Sequence, residues 1–504
     1  MKRLTAIILA ALLVFALASG AMADDEKVLR VGTTETGGGF DPTVNTSTYL
    51  GLNLVYESLF KIDQQTGELV PYLVEDYYFE DEVTLVMTLK DGVTFSNGEP
   101  LTGEDVIYSL RRYVDEGTML ATYFAYFDFD ASTVSDDGLT VTLKYTEPYG
   151  AAQAFLTKAI ECKKNDEGLT PEDTSWWDAP VGTGPYEVVE NVSGSHTTYA
   201  LRDDYWGEEP DADIIEITYY SDQTTMFIDF ENGAIDVALN LATSDYSRLE
   251  NGEMDNVVYG LCSQNATQMV CFNMESVPAF QDIRVREAFA HAIDYEAVTD
   301  AAYEGLGMVA TSTLGVNTNF YYNVGTYEYD PELAISLLEE AGYGDGLELN
   351  VVITSSAANT KLLEAMQAYL ADVGITLNFQ SYDVPTAVGY FREGGTDFQL
   401  QTVNGGNEQC EPHLAYSAMY PDSIFPCVRI DDAELQELLN AALYSTDDAV
   451  REENYRAVQQ WLYDNYMAIP ICESATAYVY NTDTVAEFPL VSTATCYLQE
   501  VVLP

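Results

Sequence analysis

Residues 347 to 379 place the tightest constraint on the fold. Leu347, Leu349, Val351 and Ile353 recur at every second position, the period of a strand with one buried face. A helix is predicted from Leu362 to Val373, stopped by Gly374, and Ile375, Leu377 and Phe379 then form another strand. Strand, helix, strand at this spacing is a parallel crossover, because a tight turn joins only antiparallel strands. Such a unit belongs to a largely parallel sheet covered by helices, so the fold class is α/β. The helix before it is marked as clearly. Asp330 suits the N-cap, Pro331 the first helical position, and Leu333, Leu337, Leu338 and Ala341 form a stripe that ends at Gly342.

The first half of the chain is richer in strands, among them "KVLRVGTT", "VTLVMTLK", "LTVTLKY" and "DIIEITYY". Within it, "FSNGEPLTGEDVIYSLRR" at 95–112 reads as strand end, turn and capped helix. Asn97-Gly98 supplies the turn. Thr102 is the expected N-cap, with Glu104 and Asp105 near the positive end of the helix dipole. Near the other end, helices around Asp432 to Ala442 and Val450 to Tyr466 precede an apolar strand near Tyr478 to Tyr480.

At 504 residues the chain is expected to divide into two or three domains. Lys2 and Arg3, the apolar run Leu4 to Ala18 and the triplet Ala21-Met22-Ala23 read as an export signal, residues 1–23, cut after Ala23. Ala21 stands where a lipoprotein signal would carry Cys, so no lipid anchor is expected. The net charge is −61, which would repel nucleic acid and anionic membranes. Seven cysteines without a CxxC pair and only three histidines point to no structural metal site and no cofactor. The glycines at 37–39 lack a following Lys-Ser or Lys-Thr, and no nucleophile motif is present, so no enzyme class is nominated.

Six segments in order carry a resemblance: "FDPTVNTSTYLGLNLVYESLF", "LKDGVTFSNGEPLTGEDVIYSL", "PVGTGPYEV", "LRDDYWGEEPDADIIEI", "FENGAIDVAL" and "FQDIRVREAFAHAID". "YDPELAISLLEEAGY" and "AVQQWLYDNYMAIPI" extend it over nearly all of the chain after residue 23. Together they resemble the extracytoplasmic solute-binding proteins of ABC importers, family 5, the oligopeptide, dipeptide and nickel class. The resemblance implies a two-lobed periplasmic-binding-protein fold (class II, cluster C type) with mixed sheets and an extra domain inserted in the first lobe. Mapped here, lobe I is 24–61, 181–270 and 475–504, the inserted domain 62–180, and lobe II 271–474. The corner at 95–112 then belongs to the insert.

The mechanism the family implies is capture by lobe closure followed by docking on membrane permease subunits. Peptide-binding relatives hold main chain with strand-like segments of both lobes. These fall here on Asn45, Thr46, Ser47 and Thr48, and on the loop 403–413 with Gly405, Gly406, Asn407 and Glu408. In such relatives an Asp four residues before a Pro binds the peptide ammonium. Counting from Pro412 gives Glu408, a longer arm with the same charge. Lys361 falls where a dipeptide-binding relative has an Arg for the α-carboxylate, and Gly405 stands where relatives often have Trp. An exported monomer, periplasmic or extracellular, that binds peptide is expected. The alternatives are another solute, an oligosaccharide or a nickel or other metal chelate, and remotely a secreted enzyme. Cys410 and Cys427 flank a sixteen-residue loop beside the implied site, and a disulfide closing it would add about 3 kcal/mol; free thiols are the other expectation.

Overall fold

The computed structural model describes residues 26–35, 39–43, 50–63, 68–117, 120–169, 179–403, 410–489 and 496–504. Strand β1 (Val28–Thr33) opens this chain and lies inside the largest sheet. Four antiparallel strands follow: β2 (Val74–Asp81), β3 (Thr84–Leu89), β4 (Phe127–Val134) and β5 (Thr140–Tyr145), in the order β2-β3-β5-β4. Between β3 and β4 run α1 (Gly103–Asp115) and the short α2 (Ala121–Phe124). Thr102 starts α1 as expected, its N–H donating to Asp105 Oδ2 at 2.9 Å. Val106 and Leu110 of α1 pack with Leu85, Met87, Val141 and Leu143, so this sheet has its own apolar core.

The chain then returns to the first sheet with β6 (Tyr186–Val192), β7 (His196–Leu201), β8 (Ile214–Tyr219), β9 (Val237–Leu239) and the sixteen-residue β10 (Val257–Phe272). The next elements are α3 (Tyr295–Tyr303), α4 (Pro331–Glu340), β11 (Leu347–Thr354), α5 (Ala357–Asp372), β12 (Ile375–Tyr382), β13 (Phe398–Val403), α6 (Pro412–Tyr416), α7 (Ala433–Leu443), α8 (Asp448–Asp464) and the fourteen-residue β14 (Ala468–Asn481). The large sheet has the order β13-β10-β14-β9-β1-β8-β7-β6, with Gly307–Val309 paired to β14. β10 and β14 are paired antiparallel along nearly their whole length, Val257 opposite Asn481 and Cys271 opposite Ala468. They cross from one half of the molecule to the other.

At the far end of β10 the period of two separates two cores: Val270 and Phe272 face one, Met269 and Cys271 the other. The crossover reads as expected locally, since β11 and β12 pair in parallel from Leu347–Ile375 to Thr354–Tyr382. Its surroundings differ from the expectation of a largely parallel sheet. The β11–β12 pair is a two-stranded sheet of its own, and among the described residues the parallel pairs of the large sheet are those of β1 with β8 and β9. The physical reason lies at the open edge of β11. The Asp397 carboxylate takes the Asn350 N–H at 2.6 Å, the Asp397 N–H donates to the Asn350 carbonyl at 2.9 Å, and Thr396 Oγ1 takes the Val352 N–H at 3.0 Å, so one main-chain bond and two side chains close the edge in place of a further strand.

Two of the quoted motifs turn out to buttress the base of the four-stranded domain. A Cβ on Gly182 would lie 1.9 Å from the Val55 carbonyl oxygen, and Gly184 N–H donates to that same oxygen at 2.8 Å. Arg202 donates to the carbonyls of Gly184 at 3.1 Å and Phe95 at 3.2 Å, and Trp206 Nε1 donates to the buried Glu57 at 2.9 Å. The turn at 95–98 is thereby tied to the large sheet.

Candidate functional site

The segments 44–49 and 404–409 lie outside the described residues, and with them Asn45, Thr46, Ser47, Thr48, Gly405, Gly406, Asn407 and Glu408. Their stems are described, and each is pinned by a buried arginine. Asp41 Oδ1 accepts from Thr43 N–H at 3.0 Å and Thr43 Oγ1 at 2.7 Å, while its Oδ2 accepts from Arg112 Nη2 at 3.1 Å. Arg112 is on α1, near the end of the stretch at 95–112, and also binds Glu161; all three side chains are at most 6% exposed. Tyr113 OH donates to the Pro42 carbonyl beside them. Burial pushes Glu161 up to about 8, opposed by the Arg112 charge.

The second stem repeats the device. Glu411 caps α6 by accepting the His413 N–H at 3.1 Å, and its carboxylate binds Arg451 Nη2 at 2.7 Å with both side chains at most 6% exposed. Arg451 lies over the rings of Phe320 and Tyr455, at 5.1 and 5.7 Å. Cys410 adopts φ 50°, and its carbonyl accepts from Asn319 N–H at 2.8 Å.

Lys361 lies on the exposed side of α5 and pairs with Glu304. Neighbouring Asn359 instead turns to β10, accepting from Gln268 Nε2 at 3.1 Å. The Cys410–Cys427 bridge is not formed: all seven cysteines are buried thiols outside any disulfide. Cys427 Sγ faces the Thr396 carbonyl inside the core around Met269, where the thiol serves as a small apolar filler. Among the described residues no three His, Cys, Asp or Glu side chains are grouped to hold a metal ion, and no helix is long and apolar enough to cross a membrane.

Three features escaped the reading of the sequence. Glu473 lies where β10 and β14 cross, fully buried beside a register shift between Ser263 and Thr267. Its Oε2 accepts from Ser263 Oγ and Val316 N–H, both at 3.3 Å, while Oε1 has no partner among the described residues. Burial pushes its carboxyl up. An acid in the apolar run "AIPICESATAYVY" was the available signal. Glu35 follows the carboxyl end of β1, where open α/β sheets hold ligands. It is open to water yet enclosed by protein on most sides, and that enclosure pushes it up to about 7 against an opposing Leu50 N–H.

The third is His413. The rings of Tyr123, Tyr126 and Tyr149, all from the part of the chain that carries the four-stranded sheet, and of Tyr420 meet it edge-on at 5.5 to 6.4 Å. Tyr123 OH lies 3.1 Å from Ser417 Oγ, and Gly150 N–H donates to the Leu443 carbonyl at 2.7 Å, so these contacts form a seam. Burial first and the Arg451 charge second hold His413 down at about 3. The groups facing it are those four tyrosines, Arg451 and the Glu411 cap. Between about 3 and the ordinary 6.5 the unfolded chain carries a proton that the folded chain lacks. Stability therefore rises with pH over that window and is lost as pH falls through it. Urea unfolding of the wild type and of His413→Gln across this range should show a slope shallower by close to one proton in the variant.

Two halves joined by crossing strands, with Asp41 fixed by a buried arginine on one side and Glu411 by another on the other, define a two-lobed solute-binding protein. The family described as bacterial extracellular solute-binding proteins, family 5 Middle, matches residues 68–424, and the chain belongs to that family. Over 439 residues it is 27% identical to a candidate ABC transporter peptide-binding protein of Brucella ovis, covering 84% of this chain and 82% of that one. The nickel-binding periplasmic protein of Escherichia coli is 26% identical over 444 residues, 83% of each chain. The crystal structure of an ABC transporter substrate-binding protein of Listeria monocytogenes matches with TM-score 0.81 at 24% identity, over 95% of this chain and 100% of that one. The chain is thus a substrate-binding component that works with an ABC transporter.

Proposed function

We propose that this protein captures peptides between its two lobes and delivers them to permease subunits, as an exported monomer without lipid anchor or catalytic activity. The lobes are 24–61, 181–270 and 475–504 on one side and 271–474 on the other, with 62–180 inserted in the first. The observation that carries this reading is the pair of anchored carboxylates, Asp41 held by Arg112 and Glu411 held by Arg451, each next in sequence to a segment that the resemblance assigns to the ligand. Asn45 to Thr48 and Gly405 to Asn407 supply main-chain hydrogen bonds, Glu408 receives the peptide ammonium, and Lys361 leaves Glu304 to receive the carboxylate. Likeness to the nickel-binding relative supports a second reading, a metal chelate in the same cleft.

A thermal-shift screen with di- to pentapeptides, oligosaccharides and nickel chelates tests this. A ligand held only by the folded state raises its stability by about 2.7 kcal/mol at a hundred times its dissociation constant. A shift with peptides is expected; a shift confined to chelates or sugars replaces the peptide by that solute.

A further inference from the structure

On the seam around His413 lies a cavity of about 490 Å³. Tyr123 and Tyr126 line it from one side, and Tyr420, Phe425 and Tyr444 from the other, with Asp422 at the same wall. Burial first, then the Tyr444 phenol and the Glu147 and Asp422 carboxylates, push Tyr126 up to about 12, and burial followed by Tyr444, Tyr126 and Asp422 pushes Tyr420 up. Among the described residues no lysine or arginine lines it, and His413 in its floor is neutral.

We propose that this cavity is a binding site for an organic cation, an alkylammonium or guanidinium group such as a basic side chain of the captured peptide. Aromatic faces carry negative potential, and several of them around one carboxylate suit a cation that sheds part of its water. A carboxylate ligand would meet Asp422 and no counter-charge. The net charge of −61 concentrates cations near the surface at low salt. Because the two walls belong to different halves of the molecule, an occupant bridges them and favours the closed arrangement. The inference rests on the proposed capture by closure, of which this cavity is one compartment.

The test compares Ala-Arg-Ala with Ala-citrulline-Ala, which differ in charge but hardly in shape, by titration calorimetry at low ionic strength. Wild type should prefer the arginine peptide by about tenfold. Asp422→Asn and Tyr444→Leu should each reduce that preference to about twofold or less while keeping the unfolding temperature; Asp422 is exposed, so its variant stays informative if Tyr444→Leu misfolds. Equal binding of the two peptides by wild type, or a preference unchanged in the variants, overturns the cation site and leaves peptide capture standing. If neither peptide binds, the peptide reading fails, and agmatine against N-carbamoylputrescine decides the site. Binding of agmatine alone, weakened in Asp422→Asn, upholds it; binding of both or of neither overturns it.

Discussion

Arg451→Met should lower the unfolding free energy by about 3–5 kcal/mol, the cost of leaving a buried carboxylate without its partner. Glu411 is 2% exposed at its side chain and also accepts the His413 N–H. The same change should weaken ligand binding in whatever fraction stays folded, because Glu411 fixes the start of α6 and the stem of the loop 404–409. Arg451→Met with Glu411→Gln should recover much of the stability, since no buried charge is then left alone. Urea unfolding of the three variants checks the first part and titration calorimetry the second. Equal loss in the single and double variants would mean that Arg451 acts through its packing on Phe320 and Tyr455.

Arg112→Met should be at least as costly, again about 3–5 kcal/mol or more, because two buried carboxylates, Asp41 and Glu161, lose one cation. Its pH dependence separates it from a packing defect. Glu161 already titrates near 8 in the folded protein, above its unfolded value, and without Arg112 it rises further. Below about 8 folded Glu161 holds its proton in both proteins, so the deficit there is constant; between about 8 and the higher value of the variant only the folded variant holds it, so the deficit against wild type grows as pH rises above about 8. Unfolding at about pH 7 and about pH 9.5 measures this, and an equal deficit at both would remove the charge explanation.

Much of the local structure was legible because local physics determines it. The alternation at Leu347 to Ile353 and the Asp330-Pro331 start produced the expected elements, as did the turn and cap at 97–102. What was not legible depended on partners far along the chain. Nothing near Asp41 announces Arg112, 71 positions away, nor does the spacing of Cys410 and Cys427 reveal which way their thiols turn. The parallel crossover was read correctly, yet Asp397 and Thr396 close its edge, so its pairing did not extend to the large sheet. Lys361 was placed on a helix as expected, but its direction, toward Glu304, depends on the end of α3. Asn45 to Thr48 and Gly405 to Glu408 lie outside the described residues and rest on the resemblance alone. His413 went unread because one histidine after a proline carries no pattern; only the fold brings four tyrosines to it.

The central claim, a peptide held through its ammonium by the second loop, is tested most directly by a double cycle in titration calorimetry. Glu408→Gln is combined with N-acetylation of a peptide that binds the wild type. An ammonium enclosed between lobes loses its water and requires a counter-charge. Each change alone should weaken binding by roughly 2–5 kcal/mol, the usual cost of truncating a buried charged pair. The two together should cost far less than their sum, because they delete one interaction from its two sides. Free and acetylated peptides binding the wild type alike, or two losses that simply add, would contradict the claim.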